Sequence, residues 1–160
     1  MRFTILSITA VSAMSMCAIA GPARAADAPM GLYPNAAALK WMPAPPSLPK
    51  GAQMAVLYGD PTKTGPFVIR LKLPANYAIP AHRHPTTENV TVLNGTLFAG
   101  MGDKLDRTGS KPFVAGGFAA LPAQMNHFAW TKTPAVIQVE AEGPFTFAYV
   151  NAADDPSKTR

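Results

Sequence analysis

Two histidines and a glutamate lie close together in the segment "AHRHPTTENVTVLNG", which covers residues 81–95. His82 and His84 are separated by one residue, and Glu88 follows four positions after His84. The chain has only three histidines, and the last, His127, begins another strand-like segment, "HFAWTK". Neutral imidazole nitrogens together with a carboxylate are a suitable donor set for a divalent transition metal. These four residues are therefore the candidate metal ligands.

The local pattern is compatible with one shared site. On a β-strand, side chains two residues apart point to the same side, so His82 and His84 would present both imidazoles to one space. Pro85 then turns the chain, after which Glu88 can return a carboxylate to that space. A histidine pair alone is a weak signal, because single histidines are more often surface or satisfied core residues. The metal interpretation is favoured because every histidine of the chain takes part.

The elements that must position these residues are predicted to be short β-strands. "FVIRLKLP", from Phe67 to Pro74, alternates apolar and other side chains, which predicts a strand with one buried and one solvated face. Further strands are expected at residues 54–58, 88–93, 96–101, 118–121, 127–132, 135–141 and 145–150. Asn94-Gly95 predicts a two-residue hairpin between its flanking strands. Many short strands punctuated by Pro and Gly predict a single all-β sandwich or small barrel.

Residues 26–50 are predicted to form an arm that precedes the barrel domain at residues 51–160. Asn35 could cap about two helical turns that end near Trp41. The following segment "WMPAPPSLPK" has four prolines in ten residues, which forbids helix and favours extended chain. A strap over the domain or over a partner subunit is favoured above a recognition motif, because Trp41 and Met42 would need cover.

Residues 1–25 are predicted to be a secretory signal peptide. Arg2 gives a positive start, residues 3–20 carry no charge, and Ala23-Arg24-Ala25 has the small-x-small pattern of a cleavage site. The alternative is a membrane anchor, since the apolar run is close to the lower length limit for spanning. The cleavage pattern favours removal after Ala25. We therefore expect an exported protein, periplasmic or secreted, with no membrane association after cleavage.

Composition excludes several kinds of function for the mature chain. Cys17 is the single cysteine and lies within the signal segment, so thiolate metal sites and cysteine nucleophiles are excluded. Without Arg2 and Arg24, 12 basic and 9 acidic residues remain, and the net charge falls from +5 to +3. The basic residues form no run, so no nucleic-acid partner is expected.

The spacing of the candidate ligands resembles the signatures of the cupin superfamily. The first signature reads G-x5-H-x-H-x3,4-E-x6-G, and it is matched by His82, His84, Glu88 and Gly95. Asn76 stands where the first glycine is expected. This departure from the first signature is at a turn position rather than at a ligand position.

The second signature, G-x5-P-x-G-x2-H-x3-N, is matched by Gly116, Pro122 and His127. Gln124 replaces the glycine after Pro122, and Thr131 replaces the final asparagine. The resemblance to a small single-domain bacterial-type cupin implies a jelly-roll β-barrel with an N-terminal proline-rich arm. It also implies a homodimer in which the arm pairs with a partner.

The resemblance further implies one divalent transition metal held by His82, His84, Glu88 and His127. Fe, Mn, Ni, Cu and Zn are not distinguished by this donor set. Glu88 could be a ligand only, or it could detach and act as a base. Four apolar side chains near the motifs could shape a pocket, although simple core packing is the favoured interpretation: Phe98, Met101, Met125 and Trp130.

A cupin fold does not determine a reaction, so several functions stay open. The favoured hypothesis is an exported enzyme of the dioxygenase type that acts on a small organic substrate, phenolic or dicarbonyl. The second is a non-catalytic module that binds or senses a metal or small ligand. The third is a zinc hydratase or hydrolase with Glu88 outside the metal shell, and decarboxylase or isomerase chemistry is a further alternative.

Overall fold

Two antiparallel β-sheets face each other in the computed structural model, which describes residues 35–158. The strands are β1 (Met42–Pro43), β2 (Gln53–Tyr58), β3 (Gly65–Leu73), β4 (Ala78–Arg83), β5 (Glu88–Asn94), β6 (Thr96–Met101), β7 (Lys111–Val114), β8 (Phe118–Leu121), β9 (His127–Trp130), β10 (Ala135–Gly143) and β11 (Ala148–Tyr149). One sheet has the order β1-β2-β3-β10-β5-β8, and the other has the order β11-β4-β9-β6-β7. This architecture confirms the predicted all-β jelly-roll barrel. The predicted signal peptide and the first part of the arm lie outside the described residues.

The apolar core lies between the inner faces of the two sheets. In β3, the side chains of Phe67, Ile69, Leu71 and Leu73 are buried, as the sequence alternation predicts. β3 and β10 pair along their full length, from Gly65↔Gly143 to Leu73↔Ala135. Burying one such large apolar side chain contributes about 1.5–3 kcal/mol. This pair of long central strands therefore contributes much of the apolar core, and the shorter strands β2 and β5 pair on either side of it.

Asn94-Gly95 does not form the predicted hairpin. β5 belongs to the six-stranded sheet and β6 belongs to the five-stranded sheet, so the turn carries the chain from one sheet to the other. Gly95 has φ of 75°, and a Cβ at this position would lie 2.4 Å from the carbonyl oxygen of Pro134. Glycine is required here by both conformation and space. The hairpin prediction was wrong because Asn-Gly specifies a tight reversal, while the choice of partner strand depends on distant residues.

The proline-rich segment lies over the end of its own barrel as a strap, defined here as residues 43–52. β1 pairs with β2, and Ala44 donates its N–H to the carbonyl of Ala52 at 3.0 Å. Leu48 is the buried anchor of the strap, with 5% of its surface exposed. The side chain of Met42 is 48% exposed, so the expectation that Met42 would be covered is not met.

Two tyrosine hydroxyls hold the strap in place from the barrel side. Tyr77 donates to the carbonyl of Pro49 at 2.5 Å, and Tyr149 donates to the carbonyl of Ser47 at 2.7 Å. The two bonds flank Leu48 in the sequence, so they fix the position of its side chain. Burial raises the pKa of both phenols, which keeps them protonated as donors.

The chain before the strap contains less helix than the sequence indicates. Asn35 accepts a hydrogen bond from the N–H of Ala37 at 3.0 Å, as expected for a cap. The helix behind it is a single 3-10 turn, Ala36–Ala38, rather than two helical turns. No helix within residues 35–158 is long and apolar enough to cross a membrane.

At two positions where the cupin signatures have glycine, this chain has another residue but keeps a left-handed backbone conformation. Asn76 has φ of 57° and Gln124 has φ of 63°, and these are the two non-glycine residues with positive φ in the described chain. Thr131 closes the turn that contains Asn76: its hydroxyl donates to the carbonyl of Pro74 at 2.6 Å and accepts from the N–H of Tyr77 at 3.1 Å. The motif geometry is therefore retained with different side chains.

We expect Gln124→Gly to raise the free energy of unfolding by about 0.5–1 kcal/mol, because a left-handed conformation disfavours side chains with a Cβ. Asn76→Gly is the matched control, with an expected change within about 0.5 kcal/mol, since asparagine tolerates this region well. Urea denaturation of the two variants and the parent protein measures the effect. Destabilisation by Gln124→Gly would show that the glutamine side chain contributes more than the backbone strain removes.

Candidate metal centre

An irregularity in β4 turns His82 towards the barrel interior. Ile79 and Ala81 are buried, so regular alternation would direct His82 to the opposite face. The pairing of β4 with β9 shifts register between Ile79 and His82, and both Ala81 and His82 are buried. After this bulge, His82 is the direct cross-strand partner of His127. Bulges of this kind commonly re-aim a side chain next to a functional site.

The structure brings the three histidines together inside the barrel. One ring nitrogen from each of His82, His84 and His127 lies within 4.8 Å of the others. Their exposed fractions are 3%, 2% and 4%. The ring centroids of His82 and His127 are 4.3 Å apart, so the imidazole of His127 points at the histidine pair. Three buried imidazoles in this arrangement could hold a metal ion.

Glu88 reaches the same cluster from the start of β5. Its Oε2 atom lies 3.5 Å from Nε2 of His84 and 3.3 Å from Nε2 of His127. The Glu88 residue is 9% exposed. The carboxylate therefore approaches two of the three imidazoles directly and stands beside the three-histidine group.

Backbone carbonyls determine the tautomer of each histidine. Nδ1 of His82 lies 2.7 Å from the carbonyl of Pro80, Nδ1 of His84 lies 2.8 Å from that of Thr146, and Nδ1 of His127 lies 2.9 Å from that of Met125. A carbonyl oxygen can only accept, so each Nδ1 must carry the proton and donate it. In the neutral ring, Nε2 then carries a lone pair. Such contacts are the usual way in which proteins orient histidine ligands.

The turn at Gln124 makes backbone contacts to two of the three histidines, His84 and His127. Its backbone N–H donates to the carbonyl of His84 at 2.8 Å. One residue later, the carbonyl of Met125 accepts from the ring of His127. The left-handed turn at Gln124 thus lies between a backbone contact to His84 and the carbonyl that holds the ring of His127.

Electrostatics favour a neutral imidazole at His82 and an ionised carboxylate at Glu88. Burial lowers the pKa of His82 to about 3, and the neighbouring His127 and His84 add to this shift. Burial acts to raise the pKa of Glu88, but hydrogen bonding and charge from His127 and His84 outweigh it, so the pKa lies below its ordinary value. His82 therefore presents a nitrogen lone pair in a cluster that also contains a negative carboxylate.

This donor set fits a bound cation. Nε2 of His84 and Nε2 of His127 are buried and have no hydrogen-bond partner within residues 35–158. A neutral ring with its proton on Nδ1 directs an Nε2 lone pair towards the Glu88 carboxylate, and two acceptors so close repel each other unless a proton on the ring or a metal ion lies between them. Separations of 3.3 and 3.5 Å suit two donors that share one ion with bonds of about 2.1 Å.

An aromatic segment near the C-terminus completes the surroundings of the cluster, and the sequence reasoning did not assign it to the site. Phe145 stacks on His84 with ring centroids 4.1 Å apart, and Phe147 stacks on His82 at 5.0 Å. Between them, Thr146 provides the carbonyl that orients His84. The alternating aromatics of "FTFAY" are the signal that could have indicated this role. Of the strand predicted at residues 145–150, only Ala148–Tyr149 pairs, with β4.

The favoured interpretation of Phe98, Met101, Met125 and Trp130 as simple core packing is wrong for the two methionines, which are exposed. Phe98 and Trp130 stack on each other at 4.2 Å, and Arg107 covers Trp130 at 4.5 Å. Met101 is 48% exposed and Met125 is 45% exposed. None of these four residues lines the two cavities next to the histidines and Glu88, which are described below.

Two chambers border the group formed by the three histidines and Glu88: the inner one touches His82, His127 and Glu88, and the mouth chamber touches Glu88. The inner chamber, of about 40 Å³, lies inside the barrel and is bordered by His82, Glu88 and His127 among apolar side chains. The mouth chamber, of about 140 Å³, lies between the strap, the inner face of β3 and β10, and the aromatic segment. Among the described residues, Glu88 is the charged side chain in its wall. Both chambers are therefore largely apolar spaces with donor atoms at one side.

Solved structures with the same architecture include proteins with different described activities. The polyketide cyclase RemF from Streptomyces resistomycificus has a TM-score of 0.56 and 17% identity, with 67% of this chain and 76% of that chain covered. A protein from Methylibium petroleiphilum PM1, proposed to be an acetylacetone dioxygenase, has a TM-score of 0.55 and 20% identity, with 69% and 75% covered. Both likenesses concern the fold.

A higher sequence identity is found with an oxalate oxidase in complex with the substrate analogue glycolate. The identity is 26% and the TM-score is 0.50, with 67% of this chain and 59% of that chain covered. A search of the curated proteins gave no significant match.

The family comparison covers most of the barrel. A family model described as the ChrR cupin-like domain matches residues 30–145, a range that contains both signatures, all three histidines and Glu88. Together with the facing sheets and the cluster inside them, this match shows that the chain belongs to the ChrR cupin-like domain family of the cupin superfamily.

Proposed function

We propose that this protein is an exported, mononuclear metal-dependent oxidoreductase that uses dioxygen to oxidise a small organic molecule. His82, His84, Glu88 and His127 are the proposed ligands of its divalent metal. The observation that carries the proposal is the position of this donor set beside two apolar chambers. Such a site combines a place for a redox metal with space for an uncharged reactant.

The proposed role of each residue follows from its contacts. The three histidines donate Nε2 lone pairs, because their Nδ1 protons are engaged by backbone carbonyls. Glu88 supplies the negative charge that offsets part of the charge of a divalent ion. A metal bound here would supply Lewis acidity and, where it is redox-active, electron transfer to and from dioxygen.

Oxidation suits the chamber walls better than hydrolysis or isomerisation. Those reactions commonly use a separate acid or base next to the substrate. Within the described residues, the titratable groups that line the two chambers are His82, Glu88 and His127, all members of the donor set. Substrate activation must then come mainly from the metal. The structural similarity to an oxalate oxidase, an enzyme of the oxidoreductase class, is consistent with this assignment.

The proposed place of action is the periplasm or the exterior of the cell. This part of the proposal depends on the signal pattern in residues 1–25, which lie outside the described residues. The expected homodimer likewise stays a prediction. In the single chain, β1 and β2 extend the sheet beside β3 of the same subunit.

Oxygen uptake tests the reaction class. Metal-free protein is loaded separately with Fe(II), Mn(II), Ni(II), Cu(II) or Zn(II) and mixed with phenols, β-dicarbonyls and glycolate. We expect oxygen consumption with at least one redox-active metal and none with zinc. Turnover that is insensitive to oxygen and occurs with zinc would instead support a hydratase or hydrolase, and ligand-induced stabilisation without any turnover would support a binding module.

The ligand assignment predicts a loss of metal when Glu88 loses its charge. Glu88→Gln preserves the shape of the side chain, and we expect its metal affinity to fall by at least about 100-fold, since loss of even an outer-shell partner costs about 10–100-fold. His82→Ala should have a comparable effect. Elemental analysis after dialysis against a defined free-metal buffer provides the measurement.

Glu140→Gln is the matched control for these ligand variants. Glu140 is exposed on the outer face of β10 and contacts Gln138, so its variant should retain the full metal content. If the Glu88 and His82 variants both retain as much metal as Glu140→Gln, the proposed centre is wrong.

Acidification should release the metal and weaken the folded state. His82 has a folded pKa of about 3 against an ordinary value of 6.5, so the unfolded chain binds more protons between these values. Stability is therefore lost as the pH falls from about 6.5 towards about 3, and the lowered pKa of Glu88 acts in the same direction. Protons also compete with the metal for the imidazole nitrogens.

The measurement is the metal content after equilibration at stepped pH, together with the melting temperature of metal-free protein. Both should decline through the acidic range. Full retention of the metal at pH values below the folded pKa of His82 would show that different residues hold it.

A further inference from the structure

The mouth chamber has the size and wall chemistry of a binding site for one small ring. Its volume is about 140 Å³. An engineered protein cavity of about 150 Å³ with a similar Leu, Ile and Phe lining binds benzene. The apolar side chains that form its wall are Leu48, Met54, Ile69, Leu71, Val139, Phe145 and Phe147.

The mouth chamber adjoins the metal centre. Four residues border both the mouth chamber and the inner chamber: Leu48, Leu71, Glu88 and Phe147. Phe147 also stacks on His82 and meets His84 edge-on at 4.6 Å. A ligand in the mouth chamber would therefore lie against Glu88, with the imidazoles behind Phe147.

The wall selects against charged ligands. The Glu88 carboxylate repels anions, and because its Oε2 atom is already directed at Nε2 of His84 and Nε2 of His127, it can accept a hydrogen bond from one hydroxyl but would not fully neutralise an ammonium group. The polar strap and loop groups are also engaged, since Thr62 donates its hydroxyl to Asp60 and the carbonyl of Ser47 accepts from Tyr149. A charged ligand would lose its hydration without gaining a partner in the wall.

The strap places Leu48 where it limits the length of the chamber. Leu48 is the strap side chain that is common to both chambers. The two tyrosine hydroxyls bond to the carbonyls of the residues on either side of it, Ser47 and Pro49. Its position is thus fixed by the backbone rather than by loose apolar contact alone.

We propose that the mouth chamber binds a small uncharged ring compound with one hydroxyl group, of the size of phenol, and that Leu48 sets the upper size limit. The ring packs against Phe145 and Phe147, and the hydroxyl faces Glu88. That this compound is also the substrate rests on the proposed oxidoreductase function, whereas its binding does not.

Phenol binding to metal-free and metal-loaded protein tests the proposal. Isothermal titration calorimetry gives the affinity, and the methyl resonances of Leu48, Ile69 and Val139 report the location. We expect binding in both forms, with perturbed methyl resonances. Benzoate has a similar ring but carries a charge, and 1-naphthol carries a second ring, so both should bind at least about tenfold more weakly than phenol.

Two strap variants test the role of the chamber wall. Ser47→Phe places a ring in the chamber from a half-buried position and should weaken phenol binding at least about tenfold, while the carbonyl that accepts from Tyr149 is retained. Leu48→Ala should bind 1-naphthol at least about tenfold more tightly than the parent protein does. If Leu48→Ala does not fold, Leu48→Val provides the same comparison with a smaller increase in space.

The outcomes separate this proposal from the proposed function. Absence of phenol binding in both forms, or binding that Ser47→Phe leaves unchanged, overturns the chamber proposal and leaves the metal measurements intact. Phenol binding in the chamber of a protein that retains no metal supports the chamber proposal and rejects the metal-dependent reaction. Oxygen uptake with phenol in the metal-loaded protein, lost in Ser47→Phe, supports both.

Discussion

The convergence of acceptor atoms inside an apolar barrel is the constraint on which this structure depends. Backbone carbonyls accept a hydrogen bond from Nδ1 of His82, His84 and His127, which leaves Nε2 of each ring as the atom available to the interior of the cluster. The Glu88 carboxylate stands 3.3 Å from Nε2 of His127. Acceptors this close are unfavourable in a medium of low dielectric constant unless a cation joins them. The fold therefore maintains an arrangement that is favourable when a proton or a metal ion joins the imidazoles to the carboxylate.

Several distant segments are needed to maintain that arrangement. A bulge in β4 turns His82 inward, the turn at Gln124 bonds to the carbonyl of His84, and Thr146 near the C-terminus accepts from its ring. None of these contacts is strong alone, since a hydrogen bond contributes about 0.5–1.5 kcal/mol net. Their combined effect is orientation, because each contact leaves one ring only a narrow range of positions. The three buried histidines are thus also closely constrained.

The strap and the aromatic segment cover the histidine cluster at one end of the barrel. The strap crosses one end of the barrel, Leu48 is inserted from it, and the rings of Phe145 and Phe147 stack on the imidazoles of His84 and His82. These elements exclude water from the cluster and leave a space of about 140 Å³ beside Glu88. A dry surrounding strengthens electrostatic interactions at the donor atoms. The same elements that shield the cluster therefore also form the wall of this space.

The amino-acid pattern by itself determined the β-strand class, the one-sided burial of β3 and the identity of the candidate ligands. These features depend on alternation and on short spacings, which local stereochemistry imposes on any chain. It did not determine that Asn94-Gly95 joins two sheets, that a bulge aims His82 inward, or that Thr146 and the aromatic rings at residues 145 and 147 surround the histidines. Those outcomes depend on which distant strands pair and in which register. Only the tertiary structure decides this, because the free energy of such pairing comes from burial shared among residues far apart in the chain.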